Sequence, residues 1–393
     1  MNMDEILRHI AVARPNYSSA VDATSAFIRD LLTSWGIPFS MQEFTLRPYM
    51  GFIVGLTTLI LAVLLAVFII RKKPVAALIT ALAIPILLIL EQELLTPVVS
   101  WLVVKPGHNI IVHFPAPDAV RELIFTAHYD SKTDFFDHVQ RARIYRWIPH
   151  AIGLGVLLPL WGLLARRYRL FDQRAARIAV ISLSAALIAY WSLIALGFGG
   201  YVLPQKESPG AVDNATAVSL LLQLAQDIHT DKVNLGRSNI TLVFTGGEEV
   251  GLQGAKAYVN KYIKGPPRTK KLPASLVNLD LAGQNGNLVY AAKEGVFLRH
   301  YAPDPALVTR FDRVWMQVSG RHIDIEKGPL STDDAVCFMA AGIPSIRLGN
   351  SGLPGMGIGG FHKPTDNLER VNWDNMRRMH LVLRKYIESY STP

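Results

Sequence analysis

The sequence predicts an α/β fold, a mixed β-sheet sandwiched by helices, with four transmembrane helices inserted in two hairpins. Three observations carry this. Apolar strand-like segments alternate with segments of helical period, the signature of helices packed on a sheet. Four uncharged apolar runs approach or exceed the length needed to cross a bilayer. Setting them aside leaves residues 1–49, 91–146 and 204–393, together one domain of ordinary enzyme size within a chain of 393 residues.

Taken in order, residues 4–35 read as a helix pair broken near Arg14-Pro15 and ended at Gly36-Ile37-Pro38. "FSMQEFTL" alternates like a strand. Met50–Ile70 then runs 21 residues without a charge, and Pro74–Leu90 runs 17 more. A span needs about 20 residues, which the second run reaches by extending past Glu91 and Glu93. Residues 50–90 are thus a first hairpin, turning at Arg71-Lys72-Lys73. "HNIIVHF" and "ELIFTAH" read as two neighbouring strands joined by "PAPDAV". Residues 147–203 form the second hairpin, from Trp147–Ala165 and Ile178–Leu203, turning through Arg166–Arg177. One such run is compatible with a buried core helix; four favour membrane spans. Trp101, Trp147, Trp161, Trp191 and Tyr201 lie near the run ends, as an aromatic belt would place them.

Beyond the second hairpin, "NATAVSLLLQLAQDI" has helical periodicity, "NITLVFTG" is a buried strand and "GLQGAKAYVNKYI" a helix. "ASLVNLDLAG" is a strand, "STDDAVCFMAAG" begins like a capped helix, and "PSIRLG" is a further strand. "TDNLERVNWDNMRRMHLVLRKYIESY" is a long closing helix. No internal repeat is visible.

The net charge of +9 would fit a nucleic-acid partner, but its location argues otherwise. Seven of the nine net charges sit in the two hairpin turns, so no basic footprint for nucleic acid remains. The partners expected are a peptide substrate and a lipid bilayer; oligomeric state is not legible. The single cysteine, Cys337, excludes an intrachain disulfide and lies in an apolar run. Residues 1–40 carry scattered charges and no apolar core, so no cleavable signal peptide is read.

Five separated segments carry the chemistry. "FTAHYD" delivers His128 and Asp130. In an extended segment residues two apart point the same way, so Asp130 can reach the second imidazole nitrogen and orient a metal-binding histidine. "FTGGEEVGLQG" delivers Glu248 and Glu249; adjacent carboxylates in a confined site are costly without a cation. One can bind a metal while its neighbour accepts a proton from an activated water. Asp213, in "PGAVDNAT", could be a simple helix N-cap. Asp280 ends an apolar strand, where a carboxylate needs a partner. His362 lies in the Gly-rich loop "GMGIGGFHKPTDN" and could be an ordinary exposed histidine. Taken alone, His128-x-Asp130 could be a surface pair and Glu248-Glu249 a solvated loop. Jointly they supply two histidines and four or five carboxylates in an order suited to a two-metal hydrolase.

The series "AHYD", "GAVDNAT", "FTGGEEVGLQGAKAYV", "NLDLAG", "GIPSIRLG" and "FHKPTDNLERV" resembles the M28 family of dizinc peptidases, over nearly the whole soluble part of the chain. The resemblance implies a zinc-exopeptidase-like fold and two Zn2+ per chain. It implies that His128 and Asp280 hold one zinc, that Glu249 and His362 hold the other, and that Asp213 bridges them. It further implies Glu248 as general base, Asp130 as the partner of His128, and a cis peptide after Asp213. The chain departs from the family where it has Asn214, and where Asp333-Asp334-Ala335 replaces a serine-aspartate-histidine triplet. These departures bear on substrate positioning more than on metal binding.

The function expected is a membrane-bound zinc-dependent peptidase, an aminopeptidase hydrolysing peptide bonds. Two alternatives stand beside it: a glutaminyl-cyclase-like acyl transferase using one zinc on the same scaffold, and a catalytically inactive membrane scaffold or receptor. Loss of Glu248 or of a ligand would mark the last, and none is lost. The hairpin turns carry eight Lys or Arg in sixteen residues, against seven in about sixty on the opposite flanks. The positive-inside rule therefore places both turns in the cytoplasm and the peptidase domain outside it, in a periplasmic, extracellular or lumenal space.

Overall fold

The computed structural model describes residues 1–168, 174–265, 272–295, 298–326, 332–352 and 360–391. Helices α1 (Met3–Ile10) and α2 (Ser19–Ser34) precede strand β1 (Phe39–Leu46). Helices α3 (Met50–Ile70) and α4 (Pro74–Leu88) follow, α4 widening into a π turn at Ile89–Glu93. Strands β2 (Lys105–Phe114) and β3 (Arg121–His128) come next, then helices α5 (His138–Tyr145), α6 (Ile148–Tyr168) and α7 (Arg174–Gly199). The remainder is α8 (Thr216–His229), β4 (Ser238–Thr245), α9 (Gln253–Tyr258), β5 (Ala274–Leu279), β6 (Leu288–Tyr290), β7 (Glu294–Gly295) and β8 (His300–Tyr301). The chain closes with α10 (Pro305–Ser319), β9 (Asp324–Ile325), α11 (Ala335–Met339), β10 (Ser345–Asn350) and α12 (Trp373–Glu388).

These elements form two compact units: 1–48, 104–133 and 206–393 in one, 49–103 and 134–205 in the other. The segments 91–103 and 134–146, read from sequence with the soluble part, cluster mainly with the apolar helices.

In the first unit, eight strands form a mixed sheet in the order β1-β2-β4-β3-β5-β10-β6-β9. Strands β4, β3, β5 and β10 run parallel; β2 pairs antiparallel with both β1 and β4, and β6 pairs antiparallel with β10 and parallel with β9. Alternation decides the faces. Leu123, Phe125 and Ala127 of β3, with Ile240, Leu242 and Phe244 of β4, enter a core shared with α1, α2, α8, α10 and α12. Ile124, Thr126 and His128 occupy the opposite face of β3, on the side where α9 and α11 pack. β2 and β3 are not neighbours, contrary to the sequence reading. "PAPDAV" crosses the start of β4, which pairs antiparallel with β2 and parallel with β3. The closing helix is also shorter than expected. Asn372 caps its first turn through Asn375 N–H, and residues 368–370 form a separate 3-10 turn. α11 has only five residues and no side-chain cap.

In the second unit, four helices are long and apolar enough to cross a membrane: Met50–Ile70, Pro74–Glu93, His138–Leu164 and Arg174–Gly199. The third begins nine residues before Trp147, because α5 continues toward α6 with little interruption. α3 packs on α7 and α4, and α4 on α6. Gly55 permits the first contact: a Cβ there would lie 2.9 Å from the Ala195 carbonyl oxygen, so only a small residue allows this approach. Of the second hairpin turn, Arg169 and Asp172 lie outside the described residues.

Candidate metal centre

The parallel strands set the site. β3 ends at His128, Asp280 follows β5 directly, and Glu248-Glu249 follow β4 by three residues. All three lie beyond the carboxyl ends of adjacent parallel strands, where open α/β sheets bind ligands. Asp213 comes instead from a short π turn, Ala211–Ala215, that opens α8, and His362 from a loop well past β10. Asp213 makes no side-chain cap to α8, so the N-cap reading does not hold. Its peptide to Asn214 is cis. The Gly-rich loop that precedes His362 lies, over 353–359, outside the described residues.

The side chains converge. His128 Nε2 lies 3.2 Å from Asp213 Oδ1 and 3.7 Å from Asp280 Oδ1. His362 Nε2 lies 3.2 Å from Asp213 Oδ2 and 3.0 Å from Glu249 Oε2. The two oxygens of Asp213 therefore face two different clusters. His128, Asp213 and Asp280 offer donor atoms all within 4.8 Å of one another, and so do Asp213, Glu249 and His362. A third such grouping joins His128, Glu248 and Glu249, so Glu248 stands within reach of both. Asp280 Oδ1 and Glu249 Oε1 are buried with no hydrogen-bond partner. Buried orphan carboxylate oxygens are expensive. Two histidine nitrogens and three carboxylates form the donor set zinc prefers, so these residues fit the metal.

Asp130 does not orient His128 quite as alternation implied. Its backbone carbonyl is the nearer partner of His128 Nδ1, at 3.2 Å, with carboxylate Oδ1 at 3.6 Å. The carboxylate is engaged elsewhere. Oδ2 accepts from Asn16 Nδ2 at 2.6 Å and Glu249 N–H at 3.0 Å, and Oδ1 accepts from Glu248 N–H at 3.3 Å. Asp130 therefore also fixes the Glu248-Glu249 turn. Asp366 does the same for Asp213: its two oxygens accept from Val212 N–H and Asp213 N–H.

Arg14 ties these loops together. It is fully buried. Its guanidinium donates to the carbonyls of Tyr129, Ile10, Val12, Pro209 and Gly210, gripping the chain just before Asp130 and just before Asp213. Gly210, at φ +58, cannot be replaced without strain: a Cβ would meet the Asp213 carbonyl oxygen at 2.5 Å and Ser131 Cβ at 2.6 Å. Burial lowers the Arg14 guanidinium to about 10, against the opposing pull of Asp130, Asp366 and Asp213.

Behind the site lies a second ring of buried charge. Asp334 accepts from Thr245 Oγ1, and Asp333 from Asn278 Nδ2. Arg347 lies 2.6 Å from Glu326, and 3.8 Å from both Asp280 and Asp333. Burial raises the Asp334 carboxyl to about 7 and that of Asp333 to about 6. Burial also pushes Glu248 well above the carboxylate range, opposed by His128 and reinforced by Glu249, Asp334 and Asp280. Asp213 goes the other way. Burial would raise it, but the imidazoles of His128 and His362 override that and hold it well below its ordinary value. Paired titratable groups driven apart in this way mark functional sites.

Sequence reasoning missed Arg14, Asn16, Asp366 and Arg347. "RPN" reads only as a helix break and "TDN" only as the start of the closing helix. Their partners are remote in sequence, so no local pattern carries the signal.

A mixed α/β sheet with helices on both faces, and a zinc-competent cluster beyond its carboxyl strand ends, defines the zinc exopeptidase fold class. Residues 197–387 match the model of peptidase family M28, and the chain carries a domain of that family. That stretch includes Asp213, Glu248, Glu249, Asp280 and His362, whereas His128 and Asp130 precede it. Solved structures agree in fold. A Fimbriiglobus ruber glutaminyl cyclase is similar at 14% identity, covering 98% of this chain and 94% of its own, with TM-score 0.57. A leucine aminopeptidase precursor from Bacteroides thetaiotaomicron is similar at 14% identity, covering 100% and 97%, with TM-score 0.55. A Zn-dependent exopeptidase from Parabacteroides distasonis is similar at 15% identity, covering 98% and 97%, with TM-score 0.55. At these identities the likeness is one of fold. No curated protein matches the sequence.

Proposed function

We propose that the chain is a membrane-bound two-zinc aminopeptidase. The observation that carries this is the division of Asp213 between two donor clusters, one with His128 and Asp280, the other with Glu249 and His362. In this reading those five residues would hold the metal, with Asp213 shared between the two clusters. Zinc bound there would supply Lewis-acid polarisation of the scissile carbonyl and a water of lowered pKa. The chain's own residues do the rest. Glu248 accepts a proton from the attacking water as the new C–O bond forms. It returns that proton to the amine nitrogen as the C–N bond breaks. A carboxyl raised by burial suits both roles, because it holds and releases a proton nearer neutrality. Asp130 keeps Glu248 and Glu249 in register through their backbone N–H groups.

A glutaminyl cyclase is the second reading, since proteins of that name share the fold. It would need one metal and no peptide-bond hydrolysis; the paired clusters favour two. The four apolar helices support a membrane location for the chain. The deciding assay compares free and N-blocked aminoacyl reporters, with and without chelator, alongside an N-terminal glutaminyl peptide. Chelator-sensitive release from the free-amine reporter alone supports the aminopeptidase. Cyclisation of the glutaminyl peptide without reporter hydrolysis overturns it.

A further inference from the structure

The segment that follows α4 has no place in the peptidase chemistry, yet it is built with care. A small cavity lined by Ile69, Pro74, Leu158, Gly162 and Val180 puts the last turns of α3 and α6 and the first turns of α4 and α7 at one end of the helix unit. By connectivity, residues 94–103 and Trp147 lie at the other. There the chain exposes Val98, Trp101, Leu102 and Val103, with Trp101 61% and Leu102 62% exposed. Such a contiguous apolar run is unfavourable in water.

The N–H groups of Val98, Val99 and Ser100 and the polar side chains of Ser100 and Trp101 are nevertheless satisfied from within. Glu91, carried by the π turn that ends α4, is buried. Its Oε1 accepts from the N–H groups of Val98, at 2.6 Å, Val99, at 2.6 Å, and Ser100, at 3.1 Å; Oε2 accepts from Ser100 Oγ at 2.8 Å. Trp101 Nε1 donates to the Val98 carbonyl at 2.8 Å. The 3-10 turn at Ser100–Leu102 packs on α3. The segment thus presents apolar side chains outward while Val98, Val99 and Ser100 donate their backbone hydrogens inward. Non-helical backbone needs that arrangement where water is scarce.

We propose that residues 98–103 form an interfacial loop that seats Trp101 and Leu102 at the boundary between lipid headgroups and acyl chains, with Glu91 as the buried acceptor that shapes it. This rests on the membrane location proposed above. The partner is the lipid surface itself, because the loop continues directly from a span and lies at the same end of the unit as Trp147, which is itself half-exposed. Aromatic residues with a polar tip favour this depth.

The test uses the full chain in phosphatidylcholine–phosphatidylglycerol nanodiscs, in a Cys337→Ala background. An environment-sensitive fluorophore is placed at Leu102→Cys, at Ile79→Cys in the middle of α4, or at Asp374→Cys as an aqueous reference. Doxyl labels near the headgroup or near the acyl methyl end then quench it. Position 102 should lose about twice as much signal to the shallow label as to the deep one, position 79 the reverse, and position 374 neither. If 79 is quenched while 102 behaves like 374, the loop assignment fails and the spans stand. If 102 is quenched best by the deep label, the interfacial depth is wrong. If 79 is not quenched, the membrane reading itself fails. Glu91→Leu should abolish shallow quenching at 102 and leave 79 unchanged. Shallow quenching at 102 that survives this change overturns the role given to Glu91.

Discussion

Arg14 shows what a single side chain can hold in place. A buried guanidinium that satisfies five carbonyls cannot be replaced by an apolar group without leaving them unpaired, each costing about 1–3 kcal/mol before relaxation. Arg14→Met should therefore destabilise the peptidase unit by about 3–5 kcal/mol. Thermal unfolding would check this, and a loss under about 1 kcal/mol would show that the fork is dispensable. The Glu248-Glu249 pair separates by role. Glu248→Gln should retain metal and fold while losing roughly 10²–10⁴ in turnover. Glu249→Gln should instead release metal, as read by elemental analysis; the reverse pattern would exchange the two assignments. His128, Asp280 and the Glu248-Glu249 pair were legible because such residues are scarce at the ends of apolar strands; Asp213 and His362, in a helix-opening turn and a loop, were legible only as part of the joint set. Their supports were not. Asn16 reaches Asp130 across 114 residues and Asp366 reaches Val212 across 154. Nothing local distinguishes either from a surface turn residue.

At the scale of elements, α8 and α12 meet through a small charged cluster. Asp227 of α8 lies 3.0 Å from His380 Nε2 and 3.4 Å from Arg384 of α12, with Lys232 at 3.6 Å. Burial holds the His380 imidazole below its ordinary value of 6.5; Asp227 opposes this, and Arg384 and Lys232 add to it. The unfolded chain thus binds a proton more readily at this position than the folded one. The stability tied to His380 is complete above pH 6.5 and declines as pH falls through its folded value. His380→Gln should flatten the fall in thermal midpoint below pH 6.5; an unchanged slope would assign it to other groups. Element types were readable from periodicity, whereas neighbours were not. β2 and β3 looked adjacent because a six-residue turn joins them, yet β4 separates them by pairing on both sides. Short strands such as β6 and β9 escaped because two or three residues carry no period, and "TDNLERV" lost its helix to the competing Asn372 cap.

For the whole molecule, metal and membrane give the decisive measurements. Elemental analysis after mild dialysis should find about two zinc per chain; one tightly held metal in fully active protein would leave the second cluster without a role. Impermeant thiol labelling of intact cells should modify Asp374→Cys and spare Lys72→Cys, in a Cys337→Ala background, if the charge bias sets orientation. Labelling of Lys72→Cys alone would put the peptidase unit in the cytoplasm.

The position of β4 also governs timing. Both of its partners, β2 and β3, leave the ribosome well before it, and the second hairpin is made in between. Until Ser238–Thr245 emerge, the nascent sheet has no middle, and the turn carrying Glu248 and Glu249 does not yet exist. By then all four long apolar helices have been synthesised. Sheet closure is a long-range pairing step of the slow kind. Here it falls necessarily after the last apolar helix has been made, so the Glu248-Glu249 turn takes its place in the sheet only once all four of those helices exist.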